Sequence, residues 1–189
     1  MITISIAETP TEKKIADGIV VAHHSYLASA RTVGRCIKYL IYFNDRIVGT
    51  FWIGSGFKPT PKAILNYFNI GQKQYDILFN TVADNKRFCM CERIPNIGSQ
   101  ILKKIRNRAA YDWKAKYGDE LIAIVTTIGG SHNGAVYLAD NWKNIGETAG
   151  LPPNRKSVSM KWDNKANIKE KYVAPTGENK KKILITQKL

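Results

Sequence analysis

Acidic side chains are scarce in this chain. Asp and Glu number 15 against 29 Lys and Arg, a formal net charge of +14 over 189 residues. That imbalance favours a polyanionic partner, because Lys and Arg contacts to phosphate drive sequence-independent nucleic-acid binding. A solvated basic surface is the plainer alternative. Cysteine is scarce too. Cys36, Cys89 and Cys91 are odd in number, which excludes a disulfide framework and suits a reducing cytosol. Cys89 and Cys91 stand two apart on one face of a strand, with no second pair to complete a zinc site. Both read as core residues. No apolar run approaches membrane-spanning length, so no membrane partner is expected. The opening Met1-Ile2-Thr3-Ile4-Ser5-Ile6 lacks the basic segment and long apolar stretch of a secretory leader. The expectation is a cytoplasmic protein. No stretch repeats another, which excludes a repeat architecture.

What is present suits one domain over residues 1–189, with 44% apolar side chains and room for a core. Met1 to Ile6 alternates as a short strand. Thr9 or Thr11 can cap a helix running to about Tyr26. Arg35 to Phe43 reads as a strand with Ile37, Tyr39 and Ile41 on one face. Asn44-Asp45 is a hairpin turn, and Arg46 to Trp52 returns. Lys62 to Tyr67 is helical, and residues 69–82 are looser. Lys86 to Arg93 reads as a buried strand. The longest helix runs from about Ser99 to Lys116, with Ile97, Ile101, Ile105, Ala109 and Trp113 on one stripe and Gly118 at its end. Leu121 to Thr127 is a continuous apolar strand, hence central. Residues 151–182 form a polar, basic insertion before a last strand from Lys182 to Leu189. An early hairpin and a later strand–helix–strand unit give an α/β fold.

Two stretches carry candidate chemistry. The first is Arg93-Ile94-Pro95-Asn96-Ile97-Gly98-Ser99, between a strand and a helix. A helix start exposes N–H groups and a positive dipole end, which suits phosphate. A plain helix cap beside a solvated Arg93 is the other reading. The second is His132 to Thr148. His132-Asn133-Gly134 reads as a turn capping a short helix. Tyr137 falls in its first turns, and Asn141 suits a left-handed end position. Trp142 and Ile145 then start a buried strand, bent at Gly146. A tyrosine on so short a helix sits rigidly at the edge of a core, which suits a proton donor. A core tyrosine with a backbone partner is the alternative.

The second stretch resembles the end of a GNAT acyltransferase domain, with Asn133, Tyr137 and Trp142 as matching elements and Asn141 in the place of a glycine. It is closer still to the Mom-type DNA adenine-modifying proteins of phages and their relatives in Druantia-type phage-defence systems. Those carry a near-copy of H-N-G-x-x-Y-x-A-x-N-W-x-x-x-G-x-T. The similarity spans roughly residues 22 to 148. It implies an α/β, GNAT-like single domain with a central mixed, mostly antiparallel sheet flanked by helices.

The resemblance also implies a site. The acyl donor, with acetyl-CoA the candidate, would lie with its anionic part on Arg93, Asn96, Gly98 and Ser99, near Asn133. GNAT domains carry R/Q-x-x-G-x-G/A there, and this chain has one glycine. Tyr137 would protonate the leaving thiolate. His23, His24 and Tyr26 stand where the Mom-like pattern has a His-Tyr element, which in that family has been linked to iron or another metal. Adjacent histidines on a helix point about 100° apart, so His23 or His24 would act singly, as ligand or base. The family's aspartate before the H-N-G turn is absent, and Thr126-Thr127-Ile128-Gly129-Gly130 stands in its place.

Arg31, Arg35, Lys58, Lys103, Lys104, Arg155 and Lys156 form the expected surface for double-stranded DNA. Tyr42, Trp52, Phe57 and Tyr67 are interleaved with basic residues and could stack on an extruded base. The implied activity is acyl transfer to the N6 amine of adenine in DNA, shielding phage or mobile-element DNA from restriction in a bacterial host. Two other functions stay open. One is an N-acetyltransferase using acetyl-CoA on a small amine or protein. The other is an inert DNA-binding defence or counter-defence protein. A homodimer is compatible with each.

Overall fold

The computed structural model describes residues 1–24, 30–56, 58, 60–129, 132–148, 157–163, 168–174 and 181–186. Its centre is a seven-stranded sheet in the order β1-β2-β3-β4-β5-β9-β6, and β7 and β8 form a separate two-stranded sheet. The strands are β1 Ile2–Ile6, β2 Cys36–Phe43, β3 Arg46–Ser55, β4 Val82–Met90, β5 Ala123–Ile128, β6 Lys143–Glu147, β7 Ser157–Asp163, β8 Ile168–Ala174 and β9 Lys182–Ile185. The helices are α1 Pro10–His23, α2 Lys62–Phe68, α3 Gln72–Leu78, α4 Gly98–Tyr117 and α5 Ala135–Leu138. Every pairing in the large sheet is antiparallel except β4 with β5, which α4 joins as a crossover. This is the mixed, mostly antiparallel α/β architecture that the sequence implies.

Local chemistry explains the elements. Thr9 and Glu12 form a capping box that starts α1, with Pro10 in its first turn. Asn44 and Asp45 both adopt positive φ, 48° and 63°, as a two-residue hairpin of this hand requires. Gly118, at φ 78°, ends α4. The stripe Ile97, Ile101, Ile105, Ala109 and Trp113 is wholly buried against Ile37, Tyr39, Ile41, Phe51 and Ile53 of the sheet. α4 and α5 thus cover one face. The other face packs α1 on Leu40, Trp52 and Cys89, and Ile64 of α2 and Tyr75 of α3 on Val82, Val125, Ile183 and Ile185.

Three expectations need correction. Residues 69–82 are not loose. Asn69 closes α2 at φ 53°, Gly71 opens α3, and a short 3₁₀ turn leads into β4. A seven-residue helix with Tyr75 as its buried anchor offers too little periodicity to read. β4 begins at Val82 rather than Lys86, because Val82, Ala83 and Asp84 make the parallel pairing with β5. The last strand, expected from Lys182 to Leu189 with alternating faces, runs over Lys182–Ile185. β9 inserts between β5 and β6, and Ile183, Leu184 and Ile185 are all buried, so its faces do not alternate.

Candidate active site

The parallel pairing of β4 and β5 covers only Val82–Ala123, Ala83–Ile124 and Asp84–Val125. Beyond it the ladder stops and the strands part. A β-bulge in β4 lies at the same point. Trp52 faces Arg87 and Ile53 faces Asn85, so Lys86 is the extra residue. Bulges bend and twist the strand that carries them. A cavity of about 600 Å³ fills the gap, lined by His24, Asn85 to Phe88, Arg93, Thr126 to Gly129 and His132 to Tyr137. No aspartate or glutamate lines it among the described residues.

Tyr137 is fixed in this gap from all sides. Gly134 starts α5 at φ 82°, and Asn133 Oδ1 accepts the Ala135 N–H at 3.0 Å. Asn133 thus builds the turn and also lines the cavity. Asn141, at φ 61°, ends the turn, and the Trp142 N–H donates to the Tyr137 carbonyl at 3.0 Å. The buried Tyr137 ring meets Trp142 and Phe88 edge-on, with centroids 5.0 and 6.3 Å apart. Arg106 of α4 grips Asp140 at 3.1 Å, and Trp142 Nε1 donates to the same carboxylate at 3.0 Å. Asn85 Nδ2 donates to the Tyr137 hydroxyl oxygen at 2.8 Å and to Thr126 Oγ1 at 3.2 Å. The phenol is the acceptor in its bond with Asn85, so that bond does not use its own proton. Asn85 Oδ1 is buried and has no hydrogen-bond partner among the described residues.

The loop into α4 has the geometry that the sequence leaves incomplete. Asn96 stands at φ 59°, in the left-handed region, where the GNAT pattern has its first glycine. Asn tolerates that region better than other non-glycine residues. Gln100 Nε2 holds the Asn96 carbonyl at 2.9 Å. Ser99 does not cap the helix. The cap residue is Ile97, with no side-chain cap bond, so the first N–H groups of α4 face outward with the positive end of the dipole. Gly98 serves packing. A Cβ there would collide with Cγ2 of Val136, so its absence lets α5 close on α4. These features fit a CoA-type donor. The N-terminus and Arg93 suit its phosphates, and the orphaned Asn85 Oδ1 suits a pantetheine N–H.

The remaining predicted residues divide. His24 lines the cavity, whereas His23 is exposed in the last turn of α1. Tyr26, Arg155 and Lys156 lie outside the described residues, as does Phe57. Among the described residues the donor set does not fit a metal. His24 and His132 line the cavity without a carboxylate or thiol beside them, and no cluster of three metal-ligating side chains occurs among the described residues. Arg31, Lys103 and Lys104 are exposed. Arg35 is paired with Asp119, and Lys58 with Asp76 at 3.4 Å. Trp52 and Tyr42 belong to the α1 core cluster, so Trp52 cannot stack on a base without unpacking. No helix among the described residues is long and apolar enough to cross a membrane.

Among the cavity-wall residues that sequence reasoning missed are Asn85, Lys86, Arg87 and His132, with Asp84 buried beside them. Their signal was the polar run Asp84-Asn85-Lys86-Arg87 inside a buried strand, which displaced the predicted start of that strand. Asp84 is 2% exposed and pairs with Lys86 at 3.2 Å. Burial pushes its carboxyl up to about 7, against the opposing pull of Lys86, Arg87 and Lys181.

No protein-family model and no curated protein matches the chain. Solved structures do. A Bacillus subtilis acetyltransferase in complex with CoA aligns at TM-score 0.57 and 9% identity, over 100% of this chain and 99% of that one. An N-acetyltransferase from Staphylococcus aureus Mu50 aligns at 0.56 and 13% identity, over 99% and 97%. FeeM, an N-acyl amino acid synthase from uncultured soil microbes, aligns at 0.52 and 11%, over 99% and 90%. The chain has the GNAT acetyltransferase fold, and identities this low speak for the fold alone.

Proposed function

We propose that this protein is a GNAT-type acyltransferase that takes an acyl-CoA thioester and delivers the acyl group to the N6 amine of adenine in DNA. One observation carries the transferase reading: Tyr137, anchored by Asn85, lines the gap between β4 and β5 together with Arg93, five residues before the uncapped start of α4. The thioester supplies an activated acyl carbon. The α4 N–H groups and Arg93 bind its phosphates. The amine nitrogen bonds to the acyl carbon, the carbon–sulfur bond breaks, and Tyr137 gives its proton to the departing sulfur. His24 lines the same cavity and takes the proton that the amine loses. The adenine amine is a weak nucleophile, so alignment in the cavity supplies much of the rate.

The acceptor rests on the net charge of +14, on exposed Arg31, Lys103 and Lys104, and on the resemblance of His132–Thr148 to Mom-type proteins. Small polycationic amines are the less favoured acceptors, because no carboxylate lines the cavity among the described residues. The test is release of CoA thiol from acetyl-CoA with and without single-stranded DNA. DNA-dependent release supports the proposal. CoA binding without release on DNA, but with release on a small amine or protein, moves the activity to a conventional N-acetyltransferase. DNA binding without CoA binding leaves a non-catalytic scaffold.

A further inference from the structure

The bulge in β4 does more than open the gap. In a regular strand neighbouring side chains face opposite ways. Here Asn85 reaches Tyr137 on the α4–α5 face, and Phe88 packs into the core on that face. Asp84 and Lys86 pair with one another, and Arg87 lies by Trp52, whose ring belongs to the α1 core. The inserted residue therefore sets Lys86 and Arg87 side by side on the α1–α2 face, where regular alternation would have separated them. Both line the cavity, as does His24 at the end of α1. The α4 N-terminus packs through Ile97 on the opposite, α4–α5 face, and Arg93, just before it, also lines the cavity. The cavity thus holds a second cationic group besides Arg93, and one CoA pyrophosphate at the α4 N-terminus accounts for Arg93 alone.

We infer that Lys86 and Arg87 form a subsite for a phosphate group carried by the acyl acceptor. Buried Asp84 is the positioning residue. It holds the Lys86 ammonium in the wall, while a three-proton donor can serve a carboxylate and a ligand together. Arg87 is braced through the carbonyls of Lys86, at 2.5 Å, and Arg31, at 3.5 Å. This rests on the acyltransferase reading for which cations take the donor, and it adds an acceptor contact to that reading.

The test is calorimetric titration of the protein, saturated with CoA, by deoxyadenosine 5′-monophosphate and by deoxyadenosine. Charge-assisted hydrogen bonds predict an affinity for the monophosphate about tenfold or more above that for the nucleoside. Lys86→Gln and Arg87→Gln each remove most of that preference and leave CoA affinity unchanged, and Lys86→Arg restores it. Equal binding of the two ligands, or binding of neither, overturns the subsite. So does a loss of CoA affinity in Lys86→Gln, which would assign these cations to the donor. If CoA itself fails to bind, the acyltransferase reading falls separately, because the monophosphate preference is then read on the CoA-free protein.

Discussion

Asn85 and Tyr137 are joined across the gap between β4 and α5 by a hydrogen bond of 2.8 Å in which the amide donates and the phenol oxygen accepts. The bond sets the ring's orientation from the sheet, while Trp142 and Phe88 set it from the sides. Tyr137→Phe keeps the packing and removes the proton. The expected result is a rate lowered by roughly 10²- to 10⁴-fold with CoA affinity unchanged, read by thiol release and calorimetry. A full rate in the variant would remove Tyr137 from the chemistry.

Gly98 and Val136 interlock where α4 meets α5. Gly98→Ala should destabilise the protein by about 1–3 kcal/mol through overpacking and weaken CoA binding, since it disturbs the helix start and Tyr137 together. Val136→Ala in the same chain should recover part of the lost stability. Thermal denaturation of the two single variants and the double variant checks this. Purely additive losses would contradict the contact.

Asn96 occupies a glycine's conformation at φ 59°. Asn96→Gly should leave stability and CoA affinity nearly unaltered. Asn96→Val should cost about 1–2 kcal/mol and weaken CoA binding, because a β-branched residue resists that conformation. Equal behaviour of the two variants would show that the turn does not depend on the left-handed residue.

Asp84 gives a pH signature. Its folded pKa, about 7, lies above the ordinary 3.8. The folded state therefore holds more protons between those values, and stability is lost as pH rises through the folded pKa. Asp84→Asn carries no titrating carboxyl. Its melting temperature relative to the parent should rise steadily from pH 4 to pH 8. A relative melting temperature that is flat with pH, or that falls, would contradict a raised pKa.

Much of this was legible in the sequence, for reasons specific to each element. The Ile97-to-Trp113 stripe and the Asn44-Asp45 turn encode their structures locally, and both stand as read. The His132–Thr148 motif is also local, since Tyr137 lies in one short helix and its turn residues Asn133, Gly134 and Asn141 flank that helix. What failed depends on distant partners. β9 is recognisable as a strand, but its insertion between β5 and β6 is set by pairings more than thirty residues away. Asn96 replaces a glycine by conformation, which a glycine pattern cannot register. The wall of Asn85, Lys86 and Arg87 straddles the expected start of that strand at Lys86. Only the register against β3 identifies it as a bulge that aims two cations the same way.

The central claim is tested most directly by mass spectrometry of nucleosides from total DNA of cells expressing the chain, beside cells expressing Tyr137→Phe. The account predicts a heavier deoxyadenosine in the first sample and none in the second, with the added mass naming the transferred group. Deoxyadenosine of unaltered mass in both, from cells in which the protein is folded and binds CoA, would contradict it.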